Sequence, residues 1–267
     1  MSSGGGRASS ARRTPAAPLA AYVLHQYDWS ETSLIVELYT RERGRLVAAA
    51  RGAKRPYSQL RGVLLPFQPL LVAFGRRADE AQAELLTLRS AEWAGGVAMP
   101  AGAALLPGLY LNELLLRLLA RQDPHPALYD AYAGTVAALA GADEAGRQAA
   151  LRAFELRLLR ETGVLPELLC VTSTQAPVQA GSAYSLHPEA GVQPAGGAGI
   201  DGATLEALQA ALDAGAAAQP ALAAACALAG PALRAGLRAL LDYHLAAPLR
   251  TRRLLADLHR LLDPPRP

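Results

Sequence analysis

The stretch Ser33-Leu-Ile-Val-Glu-Leu-Tyr-Thr-Arg-Glu-Arg-Gly-Arg-Leu-Val-Ala-Ala-Ala-Arg51 reads as two strands joined by a tight turn. Leu34, Val36 and Leu38 fall on one face while Glu37 and Tyr39 fall on the other, the alternation of a half-buried strand. Arg41-Glu42-Arg43-Gly44 forms the turn, and Gly44 is free to take the positive φ a short hairpin loop requires. Arg45–Arg51 is the returning strand. Ala20–Tyr27 reads as a strand before this pair, and Leu70–Phe74 and Glu84–Arg89 as two after it. Five short strands with turn signals in about 75 residues predict a small closed barrel.

The period changes at Ala101 from that of strands to that of helices. Leu106–Ala120, Ala127–Ala140 and Glu144–Glu161 carry helical patterns, and Thr162-Gly163 stops the third with glycine where a left-handed cap is wanted. Residues 164–203 are rich in Pro, Gly, Ser and Thr and read as a long irregular insert, with a weak hairpin around Ala183–Leu186. Helical patterns resume at Thr204–Leu212, Pro220–Leu228, Pro231–Ala246 and Leu249–Leu262. The fold class is therefore α+β and multidomain. A disordered tail (1–17) precedes a five-stranded barrel (18–95), and an all-α helical domain (100–267) carrying the irregular insert follows.

Composition limits the function classes. With 51% hydrophobic residues, the 267-residue chain has enough apolar content for a real core. Residues 1–17 lack the apolar core of a secretory leader, and the uncharged run Ala214–Leu233 is broken by Gln219-Pro220 and Gly230-Pro231, so no membrane span is read. Cys170 and Cys226 are the only cysteines and imply no disulfide framework; a reducing, cytoplasmic setting is expected.

The net charge of +3 says little, but its distribution says more. Arg41–Gly62 holds Arg41, Arg43, Arg45, Arg51, Lys54, Arg55 and Arg61 against the single acid Glu42. Tyr57 sits among these bases, and Tyr39 and Phe67 flank them. A basic loop on a barrel with rings nearby suits single-stranded nucleic acid: the cations neutralise phosphates and release counterions, and the rings stack on unpaired bases. Ser58 and the glycine amides are further candidates for phosphate contacts. A solvated basic loop is the competing reading.

Other chemistries lack support. Gly197-Ala-Gly199-Ile-Asp-Gly202 has dinucleotide-fingerprint spacing, but no buried strand precedes it and no acid lies about 20 residues on. Lys54 is the only lysine, which excludes a phosphate-binding loop of the Walker type. Cys170 has Ser173 where a CxxC partner would stand, and His25, His125, His187, His244 and His259 are scattered. Asp242 and His244 have no nucleophile to serve, and no carboxylate pair suggests general acid–base work. No metal site, cofactor or enzyme activity is expected.

Trp29-Ser30-Glu31-Thr32-Ser33-Leu34, Tyr39-Thr40-Arg41-Glu42-Arg43-Gly44-Arg45, Ala50-Arg51-Gly52-Ala53 and Leu65-Pro66-Phe67 closely resemble the bacterial recombination mediators of the RecO family. So do Tyr110-Leu111-Asn112-Glu113-Leu114-Leu115, Leu151-Arg152-Ala153-Phe154-Glu155-Leu156 and Pro248-Leu249-Arg250-Thr251-Arg252. The segments keep their order from about residue 20 to 262. The resemblance implies an N-terminal OB-fold, binding of single- and double-stranded DNA, and annealing of complementary strands in recombinational DNA repair. It implies partnership with RecR, binding to the acidic, Phe-ending tail of single-strand-binding protein, and help in loading RecA. It places DNA contacts on Arg41, Arg43, Arg51, Lys54, Arg55 and Arg61; Tyr57, the ring read among these bases, joins them as a candidate DNA contact. Arg152, beside Leu115 and Phe154, becomes the candidate anchor for the acidic tail, with an ordinary helix ion pair as the competing reading. Some members hold zinc with four cysteines in the insert. Here Cys170 stands alone, so the zinc is not carried over. The alternative function is an adaptor that joins RecR to single-strand-binding protein with little DNA contact; a nuclease is a third reading without residues to support it.

Overall fold

The computed structural model describes residues 17–75, 84–96, 98–254 and 257. The tail expected at the N-terminus and the end of the last helix lie outside these residues.

Five strands close a barrel: β1 (Leu19–Asp28), β2 (Leu34–Thr40), β3 (Gly44–Ala50), β4 (Leu70–Phe74) and β5 (Leu86–Trp93), in the order β1-β2-β3-β5-β4. β2 and β3 pair antiparallel from Leu34 opposite Ala50 to Thr40 opposite Gly44, and the barrel closes through a parallel β3–β5 contact. Gly44 has φ 66°. A Cβ there would lie 2.0 Å from the Asp123 carbonyl oxygen, so glycine is required by backbone and by space alike. Between β3 and β4 the chain forms α1 (Gln59–Val63), a single turn of helix. Val23, Val36, Leu38, Leu46, Leu70, Val72 and Leu86 fill the barrel.

The second face of β2 is also buried. Tyr39 is 0% exposed, and its ring meets those of Tyr129 and Tyr132 at 5.4 and 6.1 Å. Tyr22 of β1 joins the same cluster. Phe67 adopts φ 66° and packs its ring against Gly108, where a Cβ would come within 3.0 Å of it. The half-buried strand is thus a strand between two layers, because helices cover its outer face. Tyr22, Leu24, Tyr39 and Phe67 belong to the core of the helical region rather than to that of the barrel.

The helices are α2 (Leu105–Leu118), α3 (Pro126–Gly141), α4 (Glu144–Glu161), α5 (Gly202–Asp213) and α6 (Gln219–His244). Asp143 caps α4, its carboxylate accepting from the Gly146 N–H. α6 merges two expected helices across a kink at Gly230-Pro231. By length and hydropathy alone, the span Ala216–His244 could cross a membrane, yet Leu222, Cys226, Leu233, Leu237 and Leu240 pack into the core shared with α4 and α5. The chain after α6 docks on α2. Burial works to raise the Glu113 pKa, but the backbone N–H groups of Thr251 and Arg250 and the Thr251 hydroxyl outweigh it and hold the carboxyl below its usual range.

The insert is more regular than its composition suggests. β6 (Ala183–His187), β7 (Gly191–Pro194) and β8 (Ile200–Asp201) form a three-stranded sheet in the order β7-β6-β8. The sheet lies on α6, where Gly236 allows close approach of Leu186. Gly199 and Gly202 sit tight against the backbone of Tyr184 and Gln179, so these glycines serve packing of the sheet.

Candidate nucleic-acid interface

The basic segment divides in two. Arg41 and Arg43 lie on the β2–β3 turn; Arg51, Lys54, Arg55 and Arg61 lie past the other end of β3. Six strand steps at about 3.3 Å each put roughly 20 Å between the groups. At the turn, Arg41 is engaged by Asp130 of α3 through two hydrogen bonds of 2.9 Å. Arg45 is no surface cation at all. It is 7% exposed, donates to the Leu116 and Leu119 carbonyls at 2.7 Å, and faces Glu37 at 3.4 Å. It satisfies the carbonyl end of α2 and so joins barrel to helices.

The other end is built from two loops. In the β1–β2 connection, the Trp29 and Ser30 N–H groups donate to the Ser33 carbonyl and the Ser33 N–H to Ser30 Oγ. The loop after β3 rests on it: the Lys54 N–H reaches the Thr32 carbonyl at 3.0 Å, and the Gly52 N–H reaches Ser33 Oγ at 3.3 Å. Ala53 is fully buried beneath this junction. Lys54 Nζ holds both Asp28 Oδ1 and the Ser30 carbonyl at 2.9 Å. Arg51, Arg55 and Arg61 are exposed, and among the described residues their side chains have no hydrogen-bond or ion-pair partner. Tyr57 is 99% exposed.

Tyr39 and Phe67, expected to flank the bases as rings, are instead buried in the helical core. The available rings are others. Trp29 is half exposed on the β1–β2 loop, Tyr27 is exposed at the end of β1, and Trp93 is exposed at the end of β5, its indole N–H donating to the Val63 carbonyl of α1 at 3.3 Å. Trp29 and Tyr27 were legible only through register: Leu34 opposite Ala50 brings the β1–β2 loop beside the loop after β3. A cavity of about 330 Å³ opens here between β1, β2 and α1, with Lys54 and Arg61 among its lining residues.

The expected groove around Arg152 takes a different form. Leu115 and Phe154 are 0% exposed, packed in the core by the helices around them, and cannot line an open groove. Arg152 is largely buried and pairs with Glu155 at 2.9 Å. Glu155 is fully buried, accepts from the Tyr110 hydroxyl at 2.6 Å, and has its pKa raised by desolvation against the pull of Arg152. Arg252 extends this network to Tyr110 and Asp242.

In the insert, the Ser173 hydroxyl is bonded to Gln193 Oε1 at 3.2 Å, and Thr172 ties the same turn to β7. Cys226 is buried on α6, its thiol pushed up to about 12 by burial. Cys170 with a hydroxyl already engaged is not the four-donor set of a structural zinc, and the described residues hold no group of three or more His, Cys, Asp or Glu placed for a metal.

A closed five-stranded barrel with cations and rings at one end, fused to a helical bundle, defines a two-part protein of the kind that carries an OB-like binding module on a helical platform. Residues 18–96 match the family model for the N-terminal part of recombination protein O, and residues 100–253 match that for its C-terminal part. The chain is 53% identical over 252 residues to the DNA repair protein RecO of Variovorax paradoxus, covering 90% of this chain and 96% of that one. It is 51% identical over 245 residues to the RecO of Verminephrobacter eiseniae, with the same coverage, and 50% identical over 265 residues to that of Delftia acidovorans, covering 95% and 100%. The chain belongs to the RecO family of DNA repair proteins.

Proposed function

We propose that this protein is a non-enzymatic recombination mediator that binds DNA, single-stranded above all, at the α1 end of its barrel. The observation that carries the reading is the group of three exposed arginines with no side-chain partner among the described residues and one lysine held by a carboxylate, set among exposed rings at the barrel end that carries α1. Cations of this kind bind phosphate with affinity that falls steeply with salt. Arg51, Lys54, Arg55 and Arg61 form the principal contact, with Tyr57 as a stacking ring. Arg41 and Arg43 add a secondary one, since Arg41 must leave Asp130 to take part.

The same reading includes duplex binding, strand annealing, and work in the cytoplasm with RecR to load RecA onto strands coated with single-strand-binding protein. The acidic tail of that protein meets the network of Arg152 and Arg252, which is charged but must open to admit an apolar group. The insert works without zinc. The test is anisotropy titration of a labelled single strand at several salt concentrations. Four phosphate contacts give a slope of log K against log salt of about −3. Arg51→Glu, Lys54→Glu and Arg55→Glu together should abolish most binding; unchanged binding by the triple variant would favour the adaptor reading.

A further inference from the structure

We propose that the cavity between β1, β2 and α1 receives one unpaired nucleobase, with Trp29 stacking the base beside it; this rests on the reading of the barrel end as the DNA site. The cavity has apolar walls from Leu34, Leu60 and Leu64 and a polar group from Gln26. The Gln26 side-chain N–H donates to the Leu64 carbonyl, which fixes the amide and leaves its carbonyl oxygen without a partner among the described residues. That oxygen is an acceptor for a base N–H. Lys54 and Arg61 stand at the same cavity as cations for the attached phosphates.

Size and charge select the occupant. A volume of about 330 Å³ lies at the small end of the pocket range of about 300–1,000 Å³. It suits a single planar ring system, and a paired base cannot enter without leaving its helix. Apolar walls, one fixed acceptor and two cations match a base with its phosphate and no simple anion. Trp29 is tied to this site from both sides in sequence, because its neighbours Asp28 and Ser30 are the residues that hold Lys54. The indole of Trp93 is bonded to the Val63 carbonyl and the amide of Gln26 to the next carbonyl, that of Leu64. The end of α1 is therefore pinned by one exposed ring and by the cavity wall together. Bases recognised in this way distinguish a single strand from a duplex, which phosphate contacts alone do not.

The experiment compares a thymidine strand of about twelve nucleotides with an abasic strand of equal length and charge, on the full chain. Trp29 and Trp93 are the only two tryptophans, so the single-tryptophan variants Trp93→Phe and Trp29→Phe report each ring by its own emission. The thymidine strand is expected to bind roughly tenfold tighter than the abasic one and to quench Trp29. Leu60→Phe, which fills the cavity, and Trp29→Ala, a surface change, should each weaken thymidine binding toward the abasic level and leave abasic binding unchanged. Equal affinity of the wild-type chain for both strands overturns the proposal. So does discrimination that survives both variants. Failure of the parent reading looks different: abasic and thymidine binding would both ignore the charge reversals at Arg51, Lys54 and Arg55.

Discussion

Replacing Arg45 by Met tests whether an arginine in the most basic stretch of the chain serves the fold instead of DNA. Arg45 is 7% exposed, and its guanidinium makes two hydrogen bonds of 2.7 Å to the last carbonyls of α2, with a third, of 3.4 Å, to Leu115. It also faces Glu37, whose side chain is nearly buried and otherwise held by Arg121 at 2.8 Å. Hydrogen bonds to a charged donor are each worth about 1.5–3 kcal/mol. Desolvation of the ion offsets part of that, and removal of one partner of a buried pair costs about 3–5 kcal/mol. Arg45→Met should therefore lose about 3–5 kcal/mol in urea unfolding. Glu37→Leu should cost less in the Arg45→Met background than in the wild type, by about 1.5–3 kcal/mol, because the carboxylate is then already under-paired. Tryptophan emission follows the barrel and far-ultraviolet circular dichroism follows mainly the helices; in the wild type the two transitions should coincide, because Tyr22, Tyr39 and Phe67 of the barrel chain are built into the core of the helical region. Affinity of the folded Arg45→Met variant for single strands should stay within about twofold, as no surface cation is lost. A loss below about 1 kcal/mol, or an equal cost of Glu37→Leu in both backgrounds, would refute this account of the clasp.

Gly44→Ala should lose about 2–4 kcal/mol, since positive φ and a clash with the Asp123 backbone combine, whereas Gly52→Ala, with φ 69° but only ordinary contact at 3.6 Å, should lose about 1 kcal/mol; thermal melts compare the pair. Glu155 has a raised pKa in the folded chain, so its contribution is fully present below the unfolded value and declines as pH rises through the folded one. The stability of Glu155→Gln relative to wild type should accordingly increase as pH climbs from about 4.3, and a decrease would mean that Arg152 outweighs burial. Arg41→Glu with Arg43→Glu should weaken single-strand binding less than the triple reversal at Arg51, Lys54 and Arg55, and should destabilise the turn, where Asp130 loses its partner.

The alternation in Leu34–Thr40 identified the strand and its two faces, but not what the second face meets. Tyr39 and Glu37 look like solvent-side residues by period alone. They are buried because Tyr129 and Tyr132, some ninety positions later, complete a second layer. The same limit hid Arg45. Spacing places it beside Arg43 and Arg51 as one more base, while only the docking of α2 turns it inward. Trp29 is hidden from sequence patterning for a related reason: it sits in a loop before the hairpin, and pairing of Leu34 with Ala50 is what carries it to the basic loop. Composition also concealed the sheet of the insert, whose strands are short and gain order from packing on α6.

These corrections share one geometry. β1 and β2 give their outer face to the helices through Tyr22 and Tyr39, and the β2–β3 turn lies against the segment around Asp123 and Asp130. That half of the barrel is committed to the fold, which is why Arg41 and Arg45 are paired there. Among the described residues the opposite end carries α1 and two short loops, and there Arg51, Arg55, Arg61, Tyr57 and Trp29 are exposed. If DNA binds there as proposed, a partner on the helical domain would share none of the proposed contact residues, and coupling between the two would pass through the barrel residues Tyr22, Tyr39 and Phe67 in the helical core or through Arg45. If a partner alters DNA affinity, Arg45→Met should weaken that effect while leaving each binding event alone intact, a combination that paired titrations with and without the partner would detect.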